Sequence, residues 1–370
     1  MSWANIYQLG IKELRGLLRD PVMLVLIVFS FTVSVYTSAT SIPDTLNRAT
    51  IAIVDEDQSP LSGRIATSFY PPYFVKPSMI NAVEMDRRMD NGLDTFALNI
   101  PPNFQRDLLA AKAPVIQLNV DATRMSQAFM GGNYVQSIVS GEIREFLQRY
   151  RSAAALPVEL SLRSRFNPEL NKGWFGSITS IINSITMLSI ILAGAAIIRE
   201  REHGTIEHLL VMPVTPLEIM ISKVWAMGLV VLLSSTFSLI VIAQALLHVP
   251  LQGSMLLFLC GTTLLLFATT SLGIFLATVA GSMPQFGLLL MLVLLPLQVL
   301  SGASTPRESM PDIVQDIMFF APNTHFVMLS QAVLFRGAGA DVVWPQLLML
   351  FLIGAALFTY SLRRFRAFLN

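Results

Sequence analysis

The feature that most constrains this chain is a pair of long runs without Asp, Glu, Lys, Arg or His, Trp174–Ile198 and Val224–Leu247, on either side of a charged island from Arg199 to Lys223. One helical crossing of a hydrocarbon core needs roughly 20 apolar residues. Each run is long enough, so the island must lie at a membrane surface as a hairpin between two spans. Val22–Ser41 is an earlier apolar run, too long for a signal-peptide core and without a small-residue cleavage site, and reads as an uncleaved first span. Val249–Pro306 is again free of charge, too long for one crossing, and broken at Ala280-Gly281-Ser282-Met283-Pro284, which divides it into spans near Gly253–Val279 and Gln285–Ser301. Val342–Leu362 is the last. With hydrophobic residues at 53%, charged residues at 13% and a mean hydropathy of +0.60, the composition belongs with integral membrane proteins.

The expected fold is therefore an α-helical polytopic membrane protein of six transmembrane helices, with an α/β extracytoplasmic domain inserted between helices 1 and 2. Residues 1–20 interleave Ile6, Leu9, Leu14, Leu17 and Leu18 with Lys12, Glu13, Arg15 and Arg19, the pattern of a cytosolic interfacial helix. Residues 21–42 hold the first span. Residues 43–173 replace long apolar runs with charges, prolines and short alternating segments, enough for a separate core. Within them strands are expected over Ala49–Val54, Thr95–Ile100 and Val115–Val120, with a returning strand over 157–166. Helices are expected from Pro60, over Pro102–Ala111, and over Ser126–Tyr150 with Val135, Ile138, Val139, Ile143 and Phe146 inward. Asp55-Glu56-Asp57 is explained by turn and cap chemistry before Ser59-Pro60 without invoking a metal. Residues 174–370 carry helices 2–6, with the hairpin at 199–223 and a region at 302–341, punctuated by Pro306, Pro311 and Pro322, that dips into the bilayer through Ile313, Ile317, Met318 and Phe320.

Charge placement gives the orientation. Lys12, Arg15 and Arg19, then Arg199, Arg201 and Lys223, then Arg363, Arg364 and Arg366 fall on one side of a six-span arrangement, whereas the short loop Leu247–Gly253 has no Lys or Arg. Basic residues beside spans are retained in the cytosol, so both termini and the hairpin are expected there and residues 43–173 outside. The net charge of +1 offers no basic face for nucleic acid. A single cysteine, Cys260, excludes an internal disulfide and any Cys-based metal site, and the four histidines are too scattered to suggest a metal centre.

No lysine follows a glycine, so the usual phosphate-cradling loop cannot be built, and no His-Glu-x-x-His or plausible Ser, His, Asp order is present. The chain reads as a non-enzyme. The expected spans lack buried carboxylates and histidines, which argues against a proton- or ion-coupled pump. A pathway through them would use neutral polar groups, for which Ser180, Asn183, Ser184 and Gln298 are the candidates, with Ser177, Thr186 and Gln244 nearby in type. Hydroxyls of this kind also serve plain helix packing. A weakly polar route suits a hydrophobic or amphipathic substrate.

The island reads Glu200-x-Glu202-x-Gly204-Thr205-x-Glu207-x-Leu209, then Pro213 and Ile221-Ser222-Lys223. It resembles the membrane-subunit signature of type-2 ABC exporter permeases. Arg19-Asp20-Pro21 is similar to that family's N-terminal elbow, and Leu300-Ser301-Gly302, Thr305-Pro306 and Ser309-Met310-Pro311 to its late segment, so the likeness spans both membrane halves. The resemblance implies that Glu200, Glu202, Gly204, Thr205, Glu207 and Pro213 couple the permease to ABC ATP-binding subunits. ATP would be hydrolysed there, with no cofactor bound to this chain. It further implies a second permease subunit, the same or related, in a bacterial inner membrane, with export from the cytosol or inner leaflet, and in drug-efflux-like members a periplasmic adaptor and outer-membrane duct. The alternative is a membrane receptor or anchor whose outer domain binds a ligand or partner without transport.

Overall fold

The computed structural model describes residues 2–41, 46, 48–121, 125–150, 172–202, 204, 214–305 and 307–369. The chain divides into two compact units, residues 1–42 with 164–370, and residues 43–163.

The first unit is helical. α1 (Trp3–Leu18) leads to α2 (Pro21–Phe31), which Asp20 caps by accepting the Met23 amide at 3.1 Å, with Pro21 supplying the preset first-turn φ. Thr32, at φ −121° and ψ −76°, interrupts the helix, and α3 (Val33–Thr40) continues it. The expected first span is thus two stacked pieces.

The second unit begins with β1 (Ile51–Asp55), α4 (Pro60–Thr67), β2 (Ser78–Met79) and α5 (Ala82–Asp90). It continues with β3 (Phe96–Ile100), α6 (Phe104–Leu109), β4 (Gln117–Val120) and α7 (Met125–Tyr150). The strands form one sheet in the order β2-β1-β3-β4, parallel except for the antiparallel β3–β4 pair. β1 and β3 are buried on both faces, as strands with helices on either side must be. Their core gathers Ile51, Ile53, Leu61, Phe74, Phe96 and Leu98 against Val135, Val139 and Phe146 of α7. Gly131 lets α7 approach, since a Cβ there would lie 2.1 Å from the Phe96 ring. The acidic turn is occupied by its own backbone: Asp55 accepts from the Asp57 and Gln58 amides and the Ser62 hydroxyl, and Asp57 from the Gln105 amide. β2 and α5 were not expected from the sequence. The expected strand over 157–166 lies outside the described residues.

Returning to the first unit, α8 (Lys172–Glu202) is its central post. In the most apolar 18-residue stretch of Gly173–Glu202, 83% of residues are buried, against 22% and 17% in the corresponding stretches of Pro21–Thr40 and Ala340–Ala367. α9 (Pro216–Phe237) passes into a π-helical segment, Ser238–Leu246. α10 (Met255–Val279) lies close to α8, where Gly273 meets the Ile190 carbonyl so tightly that a Cβ would sit 2.4 Å from its oxygen. α11 (Met283–Val299) follows. α12 (Asp312–Phe319) and α13 (Pro322–Ser330), the latter extended by a π-helical turn to Phe335, are bent by 92° at Phe320-Ala321. α14 (Ala340–Leu369) closes the chain.

Among the described residues five helices are long and apolar enough to cross a membrane, or six if the bent pair is one span. The expected fifth span, Gln285–Ser301, is the shorter α11, of 17 residues. Pro322 explains the bend, because it opens a new helix but cannot continue the old one. The helices at the expected spans Trp174–Ile198 and Val224–Leu247 run further than those bounds: α8 continues through Arg199–Glu202 and α9 starts at Pro216, so both carry charges at their ends.

Candidate functional site

The end of α8 is held by charge. Arg199 pairs with Asp20, the cap of α2. Glu200 accepts from Lys12 of α1 at 2.9 Å through one carboxylate oxygen and from Lys223 of α9 at 2.8 Å through the other. Lys223 also reaches Glu13 at 2.8 Å and is 1% exposed. Arg201 donates to the Ala280 carbonyl at the end of α10 at 3.0 Å, and Glu202 accepts from the Met283 amide at the start of α11 at 3.1 Å. Every residue from Arg199 to Glu202 therefore grips a different neighbour.

α1 is fastened to the same end from the other side. Trp225 of α9 donates to the Ile6 carbonyl at 3.2 Å, stacks on Tyr7 at 6.2 Å, and occupies the space that a side chain on Gly10 would need. Glu218 caps α9 by accepting the Thr215 amide at 2.8 Å and takes the Ser2 amide at 2.6 Å. The paired carboxylates and ammonium groups of Lys12, Glu13, Glu200 and Lys223 balance in charge, the condition under which such groups tolerate burial.

Of the coupling residues expected from the sequence, Glu200 is turned inward into this cluster, whereas Glu202 and Gly204 are exposed. Gly204 adopts φ +66° after the helix end, a left-handed conformation that glycine enters without a Cβ clash. Thr205, Glu207 and Pro213 lie outside the described residues. Sequence reasoning did not find Glu13 or the burial of Lys223; the available signal was a lysine followed directly by an apolar run.

Farther along α8 the expected pathway residues come together. Ser180, Asn183, Ser184 and Gln298 line one groove of about 510 Å³ with Ser34, Thr37, Ser38 and Ser41 of the first span and Ser304. Ser184 donates to the Ser30 carbonyl at 3.1 Å, Ser180 faces the Ser34 hydroxyl at 3.4 Å, and Ser38 donates to the Gly176 carbonyl at 3.1 Å. Asn183 Oδ1 is buried without a hydrogen-bond partner among the described residues, while the Asn183 carbonyl receives Gln298 at a long 3.5 Å. Ser177 and Thr186 serve structure instead, the first bonding the Trp174 carbonyl and the second Asn323 of α13 at 2.7 Å. Gln244 is exposed on the π-helical segment, away from the groove lining.

Residues 21–363 match the family described as ABC-2 family transporter protein. Over 98% of its length the chain is 62% identical to the inner membrane transport permease YhhJ of Escherichia coli K12, covering 97% of that protein. It is 27% identical to the probable multidrug ABC transporter permease YbhR of the same organism over 96% of each chain. The probable multidrug ABC transporter permease YbhS, also from that strain, is 26% identical over 91% of this chain and 90% of its own.

Proposed function

Because the chain belongs to the ABC-2 family transporter proteins, we propose that it is the inner-membrane permease subunit of an ATP-driven exporter moving a hydrophobic or amphipathic substrate out of the cytosol or inner leaflet. ATP is hydrolysed by separate ABC ATP-binding subunits, and a second permease subunit, the same or related, completes the membrane part. Both termini and the hairpin face the cytosol, and residues 43–173 face outward, where an adaptor and outer-membrane duct would meet them. The charge asymmetry of the short connections supports this orientation.

One observation carries the reading: α8 is a single helix bearing the groove residues Ser180–Ser184 near one end and the gripped residues Arg199–Glu202 at the other. Some 15 residues separate the two sets, about 22 Å along the axis at the helical rise. A displacement delivered at the exposed Glu202 and Gly204 moves a rod, and with it the groove wall. Through Asp20, Lys12, Lys223, Ala280 and Met283 the same push reaches the neighbouring helices. Glu200 is the inner clamp of this arrangement and Glu202 its outer face.

The test is reconstitution of the permease with its ATP-binding subunit in vesicles. Glu202→Arg is expected to leave the complex assembled while lowering both substrate-stimulated hydrolysis and transport by about tenfold, the equivalent of about 1.4 kcal/mol. Unchanged hydrolysis and transport in an assembled Glu202→Arg complex would overturn the placement of the contact.

A further inference from the structure

A second polar cavity lies apart from the coupling end, at the start of α14. Its volume is about 580 Å³, and its lining includes Arg307, Gln315, Gln331, Arg336 and Gln346 together with Glu308. Ser304 lines both this cavity and the α8 groove, so the two share a wall.

Arg307 reaches no carboxylate among the described residues. Its Nη1 donates to the Met328 sulfur at 3.3 Å, a weak acceptor, and its Nε is buried without a partner. Gly302, at φ +95°, brings the backbone against the arginine stem, where an added Cβ would stand 3.2 Å from Arg307 Cγ. Gln346 Oε1, also in the lining, is likewise buried without a donor. A guanidinium in a membrane protein ordinarily pairs with a carboxylate or with backbone carbonyls, and a buried polar atom left unpaired is costly.

The unpaired groups define what would fit. Two guanidinium groups against the carboxylate of Glu308 leave one net positive charge on the lining, suited to a monoanion. A forked N–H donor selects the oxygens of a phosphate over a halide, and the orphan Gln346 oxygen asks for a hydroxyl donor beside that anion. We propose that this cavity binds a singly charged phosphodiester flanked by a hydroxyl group, the chemistry of a glycerol-type phospholipid headgroup. Arg307 and Arg336 take the phosphate and Gln346 the hydroxyl. The site does not depend on what passes through the α8 groove.

The experiment uses the full-length permease in a neutral detergent, with binding of dioctanoyl phosphatidylglycerol, dioctanoyl phosphatidylcholine and inorganic phosphate measured by thermophoresis. Phosphatidylglycerol is expected to bind saturably and at least tenfold more tightly than phosphatidylcholine. Arg307→Gln and Arg336→Gln, checked for wild-type elution and melting, are each expected to weaken it by about tenfold or more, as loss of a charge-assisted hydrogen bond does. Glu308→Gln is expected to tighten it. Inorganic phosphate at the same concentrations is expected not to displace the lipid, and displacement at comparable concentration would overturn the assignment to a phosphodiester headgroup. Equal binding of the two lipids by the wild type, a comparison that needs no variant, overturns the proposal. So does wild-type affinity in folded Arg307→Gln.

Discussion

Over the turns that carry Ser180, Asn183 and Ser184, α8 presents neutral groups to an open groove, held by loose contacts of 3.1 to 3.5 Å or by none. In its last turn the same helix carries full charges, held by short ion pairs at 2.8 to 2.9 Å to Lys12 of α1 and to Lys223 of α9, the latter 1% exposed. The difference follows from what each end must do under the proposed function. A wall that lets an amphipathic molecule pass cannot hold it with strong, fixed partners, whereas an end that transmits displacement has to move with its neighbours. Weak polarity suits release; paired charge suits transmission.

The sharpest way to break this contrast is to remove the cation at the centre of the charged end. Lys223→Met leaves Glu13 without this ammonium partner and takes from Glu200 the buried one of its two lysine partners. Stranding a buried carboxylate in this way costs about 3–5 kcal/mol. The unfolding midpoint in detergent should therefore drop clearly in a calorimetric scan. Adding Glu13→Gln should restore most of the loss, because the cluster then keeps one cation and one carboxylate, Lys12 and Glu200, which pair at 2.9 Å. A Lys223→Met protein that melts like the wild type would mean that water reaches this cluster and that α1, α8 and α9 are not clamped by it.

At the groove end a polar substitution should separate stability from transport. Asn183 Oδ1 has no partner among the described residues, so Asn183→Leu, with the same branching and heavy-atom count, removes no hydrogen bond made by that atom. Stability is expected to stay within about 0.5 kcal/mol or to rise slightly. Flux of an amphipathic substrate in inverted vesicles should fall by roughly threefold to tenfold, a loss of about 0.7–1.4 kcal/mol in the transport barrier. If melting falls while flux holds, Asn183 is a packing residue and the contrast between the two ends of α8 loses its functional meaning.

How far these two ends were legible in the sequence depends on range. Neutral polar residues inside apolar runs are conspicuous one by one, so Ser180, Asn183, Ser184 and Gln298 could be picked out before their shared groove was known. The charged end was legible as a surface hairpin but not as a cluster, because Glu13 and Lys223 are separated by 210 positions and nothing local pairs them. For the same reason Glu200 was assigned to the partner-facing side together with Glu202, though the structure turns one in and leaves the other out. Helix ends were misplaced where charge marked the boundary, since a paired Arg or Lys continues a helix as readily as an apolar residue. The break at Thr32 escaped notice because it lies within an unbroken apolar run. In the residues 43–163 unit, β1 and β3 announced themselves by apolar composition, but the two-residue β2 is too short to carry a period. Arg307 and Arg336 were invisible as a pair, each lying in a mixed stretch where arginine is ordinary.

The smallest expected effect sharpens the comparison most finely. Ser180 and Ser34 approach at 3.4 Å, the outer edge of a hydroxyl hydrogen bond, and a serine in a helix has its own carbonyl four residues back as an alternative acceptor. Ser180→Ala should therefore change stability by less than about 0.5 kcal/mol and flux by less than about twofold. Gly176→Ala, one turn earlier on α8, is the informative partner, because its Cβ would lie 2.8 Å from the Ser38 carbonyl and must push α3 away. If the groove wall works by loose apposition, the glycine variant alters flux more than the serine variant although it deletes no polar group. Were Ser180→Ala the more damaging of the two, the hydroxyl would be a binding group in its own right, and the wall would grip its cargo as firmly as the other end of the helix grips its neighbours.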